Sequence, residues 1–223
     1  MLGPMLLDIL TRVGPETVER FAYAWHGPAG GSATAVDPAD VPEPLRRFYD
    51  VGTRWPGLIA QNRLVRPPER VGDRVVFYVE NQGLCSWMTS RSGQDDAPVW
   101  ADVTDGSKPV IEEEPLSRFL VTVAILEAGF GSPAGASAAW LHRDRFSDDL
   151  GPLRRLPFAQ WRGFPEGATF YASDDLLAVS CVNATPQSDE YLSVWVGARD
   201  RSALSAVDSI IDDSWEYDSR RQT

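Results

Sequence analysis

The segment that follows Pro115, LSRFLVTVAILEAGFG, constrains the fold of this chain more than any other stretch of its sequence. Its apolar residues leave little polar surface on any side of a helix, so the pattern predicts a helix that is mostly buried. These residues are Leu116, Phe119, Leu120, Val123, Ile125, Leu126 and Phe130. Gly131, Ser132 and Pro133 then end the helix. The 223 residues of the chain suffice for a sizeable core, in one large domain or two small ones.

The rest of the chain alternates irregularly between helical and strand-like patterns. Helices are predicted over 5–13, 15–25, 44–51 and 202–211, and 27–44, rich in Gly, Ala and Pro, is predicted to be a linker or long loop. Strands are predicted over 74–81, 84–88, 98–103, 168–173, 176–182 and 191–198. The first two form a hairpin around Gln82 and Gly83, and the last three form a meander. The fold class is therefore α+β, a mainly antiparallel sheet with helices packed on it.

The net charge of −11, from 32 acidic and 21 basic residues, is unevenly distributed along the chain. Residues 1–79 hold nine acids and nine bases, whereas residues 80–117 hold eight acids and two bases. An acidic balance disfavours general nucleic-acid binding, which needs cations to displace the counterions of the phosphates. It also disfavours adhesion to an anionic membrane surface.

The central acidic cluster permits two interpretations. Runs of acidic residues are usually solvated loops that keep a protein soluble. Alternatively, the cluster is a negative docking face for a basic protein partner. The candidate partner-binding residues are Asp95, Asp96, Asp102, Asp105, Glu112, Glu113 and Glu114.

Motifs that would indicate an enzyme are missing from the sequence. It contains no HExxH, GxSxG, GxGxxG or P-loop motif and no Cys/His cluster with metal-ligand spacing. We therefore expect no catalytic residue, no metal site and no cofactor. Four Asp-Asp pairs leave open an acid-pair metal enzyme, which would require several pairs to converge in one cleft.

The predicted compartment is the cytoplasm. Cys85 and Cys181 lie far apart and form no CxxC, which argues against a disulfide framework and for a reducing environment. The N-terminal apolar run lacks a basic segment and is interrupted by Asp8, so we expect neither a signal peptide nor a membrane span.

Four motifs in one order resemble the SUKH superfamily, the cell-wall-assembly-regulator-like group. They are PLRRFY at 44–49, FYVENQG at 77–83 with Trp87 beyond it, DDAPVW at 95–100 and LSRFL at 116–120. The likeness covers about residues 42–131, and Ala97 stands where such members often have a first proline. It implies a SUKH-like core over 37–131, preceded by N-terminal helices and a linker over 1–36. A C-terminal α+β extension over 132–223 would pack with that core as one unit.

The resemblance also implies a non-enzymatic function. Many bacterial members of the superfamily look like immunity proteins, which bind and neutralise toxins, nucleases among them. The sequence therefore predicts a protein-binding domain that neutralises a basic toxin through an acidic face. The alternative is a regulatory or scaffolding protein of the same superfamily that has no toxin partner.

Overall fold

The fold has four α-helices in the part of the chain that the computed structural model describes, residues 5–31, 41–91, 96–145, 152–182, 191–211 and 215–221. The helices are α1 (Leu6–Thr11), α2 (Thr17–His26), α3 (Glu43–Arg54) and α4 (Leu116–Phe130). Three short 3-10 helices span Pro56–Leu58, Arg143–Arg145 and Ala203–Val207. The last of these stands where the sequence predicts a longer helix over 202–211.

The strands form two antiparallel sheets. The first sheet runs in the order β1 (Arg63–Val71), β2 (Arg74–Val79), β3 (Cys85–Ser90), β4 (Val99–Val103) and β5 (Val110–Ile111). The second contains β6 (Ala134–His142), β7 (Arg154–Arg155), β8 (Thr169–Ala172), β9 (Leu176–Val182), β10 (Tyr191–Ala198) and β11 (Tyr217–Asp218), in the order β11-β6-β10-β9-β8-β7. These pairings confirm the α+β class, the hairpin of β2 and β3 and the meander of β8, β9 and β10.

The helix α4 lies between the two sheets, and the prediction that it is mostly buried is confirmed. Eleven of its fifteen residues are buried. It packs on β8, β9 and β10 of the second sheet and on α2 and α3. On the other side, Phe119 contacts the rings of Phe77 and Trp87 in the first sheet, with centroids 6.3 and 6.1 Å apart. A helix enclosed in this way is accessible to solvent only near its two ends, which explains its almost continuous apolar sequence.

A row of aromatic side chains joins the sheets through α4. Trp161 contacts Trp87, Phe119 and Phe170, with ring centroids 5.2, 5.0 and 5.6 Å apart. Burial of each such ring contributes about 2–3 kcal/mol to stability. The same core includes Ile9, so it draws residues from the segments 1–36, 37–131 and 132–223 alike.

The second sheet is covered unevenly. One face of β6 and β10 packs against the 3-10 helix Ala203–Val207 and forms a separate apolar cluster with Leu204 and Val207. The opposite face is covered by α4 over β8 and β9, where Phe170 and Val179 join the main core. Beyond the last turn of α4, that face of β6 and β10 lies open to solvent and borders a cleft.

Candidate functional site

Glu112, one of the seven acidic residues predicted to contact a partner, is buried and bound within the protein. Its side chain is only 4% exposed. Oε1 accepts hydrogen bonds from the indole Nε1 of Trp87 at 3.0 Å and the amide of Gly163 at 2.9 Å, and Oε2 accepts one from the amide of Arg162 at 2.7 Å. The prediction that Glu112 belongs to an exposed acidic face is wrong, because its carboxylate holds the loop at 162–163 against the core.

Glu114 is a second correction of the same kind. It is buried, accepts a hydrogen bond from the amide of Ala159 at 2.7 Å and pairs with Arg118 at 2.6 Å. Burial alternates along this stretch, so Glu112 and Glu114 are buried while Glu113 lies at the surface and pairs with Arg162. Three consecutive glutamates therefore contribute only one exposed carboxylate.

The other predicted acidic residues differ in their exposure and in the local contacts that they make. Asp96 is exposed and accepts hydrogen bonds from the amide and hydroxyl of Ser117, at 2.8 and 2.9 Å, in the first turn of α4. Asp105 is exposed and accepts the amide of Ser107 at 2.8 Å within a turn. Asp102 is partly buried on β4, and Asp95 lies outside the described residues.

The burial of Glu112 has a consequence for pH dependence. Burial raises the pKa of Glu112 above 4.5, outweighing the hydrogen bonds from Arg162, Trp87 and Gly163 that lower it. The folded protein therefore binds a proton at this site more readily than the unfolded chain does. Proton binding at Glu112 therefore stabilises the folded protein. This contribution is fully present below pH 4.5 and is lost as the pH rises through the pKa that Glu112 has in the folded state.

We expect the wild-type protein to lose stability relative to Glu112→Gln as the pH rises from about 4.5 to 7, because only the wild type releases this proton. Urea unfolding of both proteins at several pH values measures the difference in the free energy of unfolding. A difference that changes in favour of the wild type over this range would show that the three donors, and not burial, dominate at Glu112.

A cleft of about 820 Å³ lies between the two sheets, lined by residues that the structure describes. Its floor is the uncovered face of the second sheet, where Ser137 on β6 lies beside Trp195 on β10 and Tyr217 on β11. Its inner end is the last turn of α4, where Phe130 contacts Trp195 with ring centroids 5.6 Å apart. The remaining walls are two loops, at 80–82 and at 164–166.

The first of these loops is the turn between β2 and β3, which carries the ENQG motif. Glu80 is buried, and its Oε2 accepts the amides of Gln82 at 2.9 Å and Leu84 at 3.1 Å. Gly83 has a φ of +75°, a left-handed conformation that favours glycine. The turn is therefore fixed in shape, with Asn81 and Gln82 exposed at its tip.

A buried polar network anchors this turn to α4. Glu127 has no exposed surface, and its Oε2 accepts the amides of Ala60 and Gln61, each at 2.7 Å. Its Oε1 accepts the Asn62 side-chain amide at 2.8 Å and the Tyr78 hydroxyl. Burial raises the pKa of Tyr78 well above its usual value, so the phenol stays a donor.

The network extends to the edge of the cleft through Asn62. The side-chain carbonyl of Asn62 accepts the amide of Asn81 at 3.0 Å. The ENQG turn is therefore held at its base by Glu80 and from the side by a chain of hydrogen bonds that begins at Glu127. A site supported in this way is preorganised for binding.

The second loop bears Phe164 and Glu166, both exposed. It follows directly on the Arg162 and Gly163 amides that Glu112 holds. A Cβ at Gly163 would lie 2.7 Å from the Cβ of Ala101 and 2.9 Å from Oε1 of Glu112, so only glycine permits this approach. Glu112, predicted to touch a partner, thus positions a wall of the cleft instead.

The cleft combines aromatic rings with negative charge. Glu80 and Glu166 are its carboxylates, and none of the described residues that line it is Lys, Arg or His. The aromatic members are Phe130, Phe164, Trp195 and Tyr217. Carboxylates beside aromatic faces, without a neutralising cation, form an environment that favours a cationic group.

Of the predicted acidic residues that the structure describes, none lines this cleft. The ENQG turn was the available signal, since its exposed polar tip belongs to the family likeness. Trp195 lies in an apolar run that predicts core packing, but it is partly exposed on the floor of the cleft. Nothing in the local sequence around Asn62, Glu166 or Tyr217 indicates that they meet there.

The cleft holds one thiol, that of Cys181. Burial raises its pKa to about 11, which keeps the thiol protonated near neutral pH. Within the ranges that the structure describes, no group of three His, Cys, Asp or Glu side chains could hold a metal ion. The same ranges contain no helix long and apolar enough to cross a membrane.

Comparison of the chain with protein-family models, with curated proteins and with solved structures finds no match. The likeness to the SUKH superfamily therefore stays a prediction.

Proposed function

We propose that this chain is a non-enzymatic protein-binding protein and that its partner is a basic protein that contacts the cleft. The observation that carries the proposal is the lining of the cleft, where Glu80 and Glu166 lie among aromatic rings and none of the described lining residues is cationic. Aromatic residues in a partly desolvated depression are the usual energetic centre of a protein interface. Carboxylates at such a centre select a partner of positive charge.

A toxin, a nuclease in particular, is the partner that the SUKH resemblance favours. A protein that acts on nucleic acid must present a cationic surface to the phosphates, and the net charge of −11 would attract it over a distance. The exposed residues Asp105 and Glu113, with the partly buried Asp102, remain a second candidate contact surface. An immunity function of this kind would be exercised in the cytoplasm.

Two matched sets of variants distinguish these surfaces once a partner has been co-purified from the native organism and identified. Ser137→Arg places a bulky cation on the floor of the cleft, and we expect it to weaken binding at least about 100-fold. Ser137→Ala is its control. The double variant Asp105→Lys, Glu113→Lys should change the dissociation constant less than about 3-fold, since exposed charges at the rim contribute little.

The opposite pattern, with full affinity in Ser137→Arg and weak binding in the double variant, would place the partner on the acidic surface outside the cleft. Co-expression separates immunity from scaffolding. If the identified partner stops growth when expressed alone, rescue by this chain supports the immunity function. A partner that is harmless alone supports the regulatory or scaffolding function.

A further inference from the structure

We infer that the cleft takes an arginine side chain, carried on an extended segment of the partner. The inference rests on the proposed function and specifies the chemistry of recognition at the same site. A volume of about 820 Å³ exceeds what one side chain fills, so the arginine would enter together with its neighbours in the segment.

The lining supplies both interactions that a guanidinium group requires. Trp195 and Tyr217 provide aromatic surface on the floor, and a planar cation stacks on such a surface. Glu166 is exposed on one of the two facing loops, and the buried Glu80 adds negative charge at the base of the other, where its Oε2 accepts two backbone amides. A single carboxylate on a flat surface would attract any cation weakly, whereas this enclosure limits the geometry of the bound group.

Arginine fits this lining better than lysine. Its five N–H donors lie in one plane, so they can reach carboxylate and amide oxygens at the edge of the group while its face remains on a ring. The cleft offers such oxygens in the side chains of Asn81 and Gln82 as well as in the carboxylates. The protein already uses this arrangement at its surface, where the guanidinium carbon of Arg74 lies 4.0 Å from the ring centroid of Trp100.

Short peptides test the inference without the natural partner. Calorimetric titration would compare three capped pentapeptides of glycine that carry arginine, lysine or citrulline at the centre. Citrulline keeps the shape of arginine but lacks its charge. We expect the arginine peptide to bind about tenfold more tightly than the citrulline peptide, with lysine between them.

The variant Glu166→Gln should remove most of this preference, because it neutralises an exposed carboxylate of the cleft while preserving its shape. Glu113→Gln is the matched control, an exposed glutamate outside the lining, and should retain the full preference. Circular dichroism of both variants verifies that they fold.

The two proposals fail in distinguishable ways. Equal binding of the arginine and citrulline peptides, or binding of neither at millimolar concentration, overturns the arginine inference. If Ser137→Arg still abolishes binding of the protein partner in that case, the proposed function stands without the arginine inference. An arginine preference together with a partner that binds Ser137→Arg normally would instead overturn the cleft as the protein-binding site.

Discussion

Glu127→Ala should lower the free energy of unfolding by about 4 kcal/mol. The carboxylate accepts the backbone amides of Ala60 and Gln61 and the side chains of Asn62 and Tyr78, all at a fully buried position of α4. Alanine offers none of these donors an acceptor, and a buried donor that loses its partner costs about 1–3 kcal/mol. Urea denaturation measures the loss as a lower midpoint.

Two further variants serve as controls for Glu127→Ala. Glu127→Gln keeps the volume and one acceptor oxygen, so its loss should fall between wild type and Glu127→Ala. Glu113→Ala removes an exposed glutamate and should change stability by less than about 0.5 kcal/mol. If Glu127→Ala cost as little as Glu113→Ala, the hydrogen-bonded network between α4 and the loop at 60–62 would not exist in solution.

Gly197→Ala should lower the free energy of unfolding by about 3 kcal/mol, because β10 passes directly beneath the last turn of α4. A Cβ at Gly197 would lie 2.4 Å from the carbonyl oxygen of Gly129 and 2.5 Å from the hydroxyl of Ser132. The first of these atoms is backbone, so relief requires the helix to move away from the sheet. Urea denaturation of the variant measures the loss.

Gly129→Ala is the matched control for this crossing. Apart from its chain neighbours and the backbone of its own helix, no atom of the described residues lies within 4 Å of a Cβ at Gly129, and alanine favours the helical conformation by about 0.5–1 kcal/mol over glycine. The two substitutions, on opposite sides of one contact, should therefore change stability in opposite directions. Similar stability of both variants would mean that α4 and β10 do not approach as closely as described.

Much of the fold could be predicted because the amino-acid composition of several segments indicates their secondary structure. The segment that forms α4 is apolar on every side, and β2 and β9 are rich in branched and aromatic residues. The strand β6 escaped prediction because its sequence, AGASAAWLH, consists mainly of small residues with little preference for strands. It becomes a strand through its pairing with β10, which is a property of the folded chain.

The candidate site was less predictable because its contacts are distant in sequence. Glu112 and Gly163 are 51 residues apart, and Glu127 and Ala60 are 67 apart. The sequence shows where the glutamates are. Whether each one faces water or accepts a hydrogen bond from a buried amide depends on partners that are distant along the chain. The acidic cluster therefore predicts an exposed position wrongly for Glu112 and Glu114, and the ENQG motif predicts only a hairpin turn, although it forms a wall of the cleft.

The point at which α4 ends has a consequence for how such a site could change in evolution. The helix covers the second sheet as far as Phe130, and the cleft begins there. Each added turn of helix would advance by about 5.4 Å. A shift of the helix-ending residues Gly131 and Pro133 along the chain would therefore lengthen or shorten α4 without altering either sheet. A longer helix would cover more of the second sheet and enlarge the core, whereas a shorter helix would leave more of that sheet available for binding.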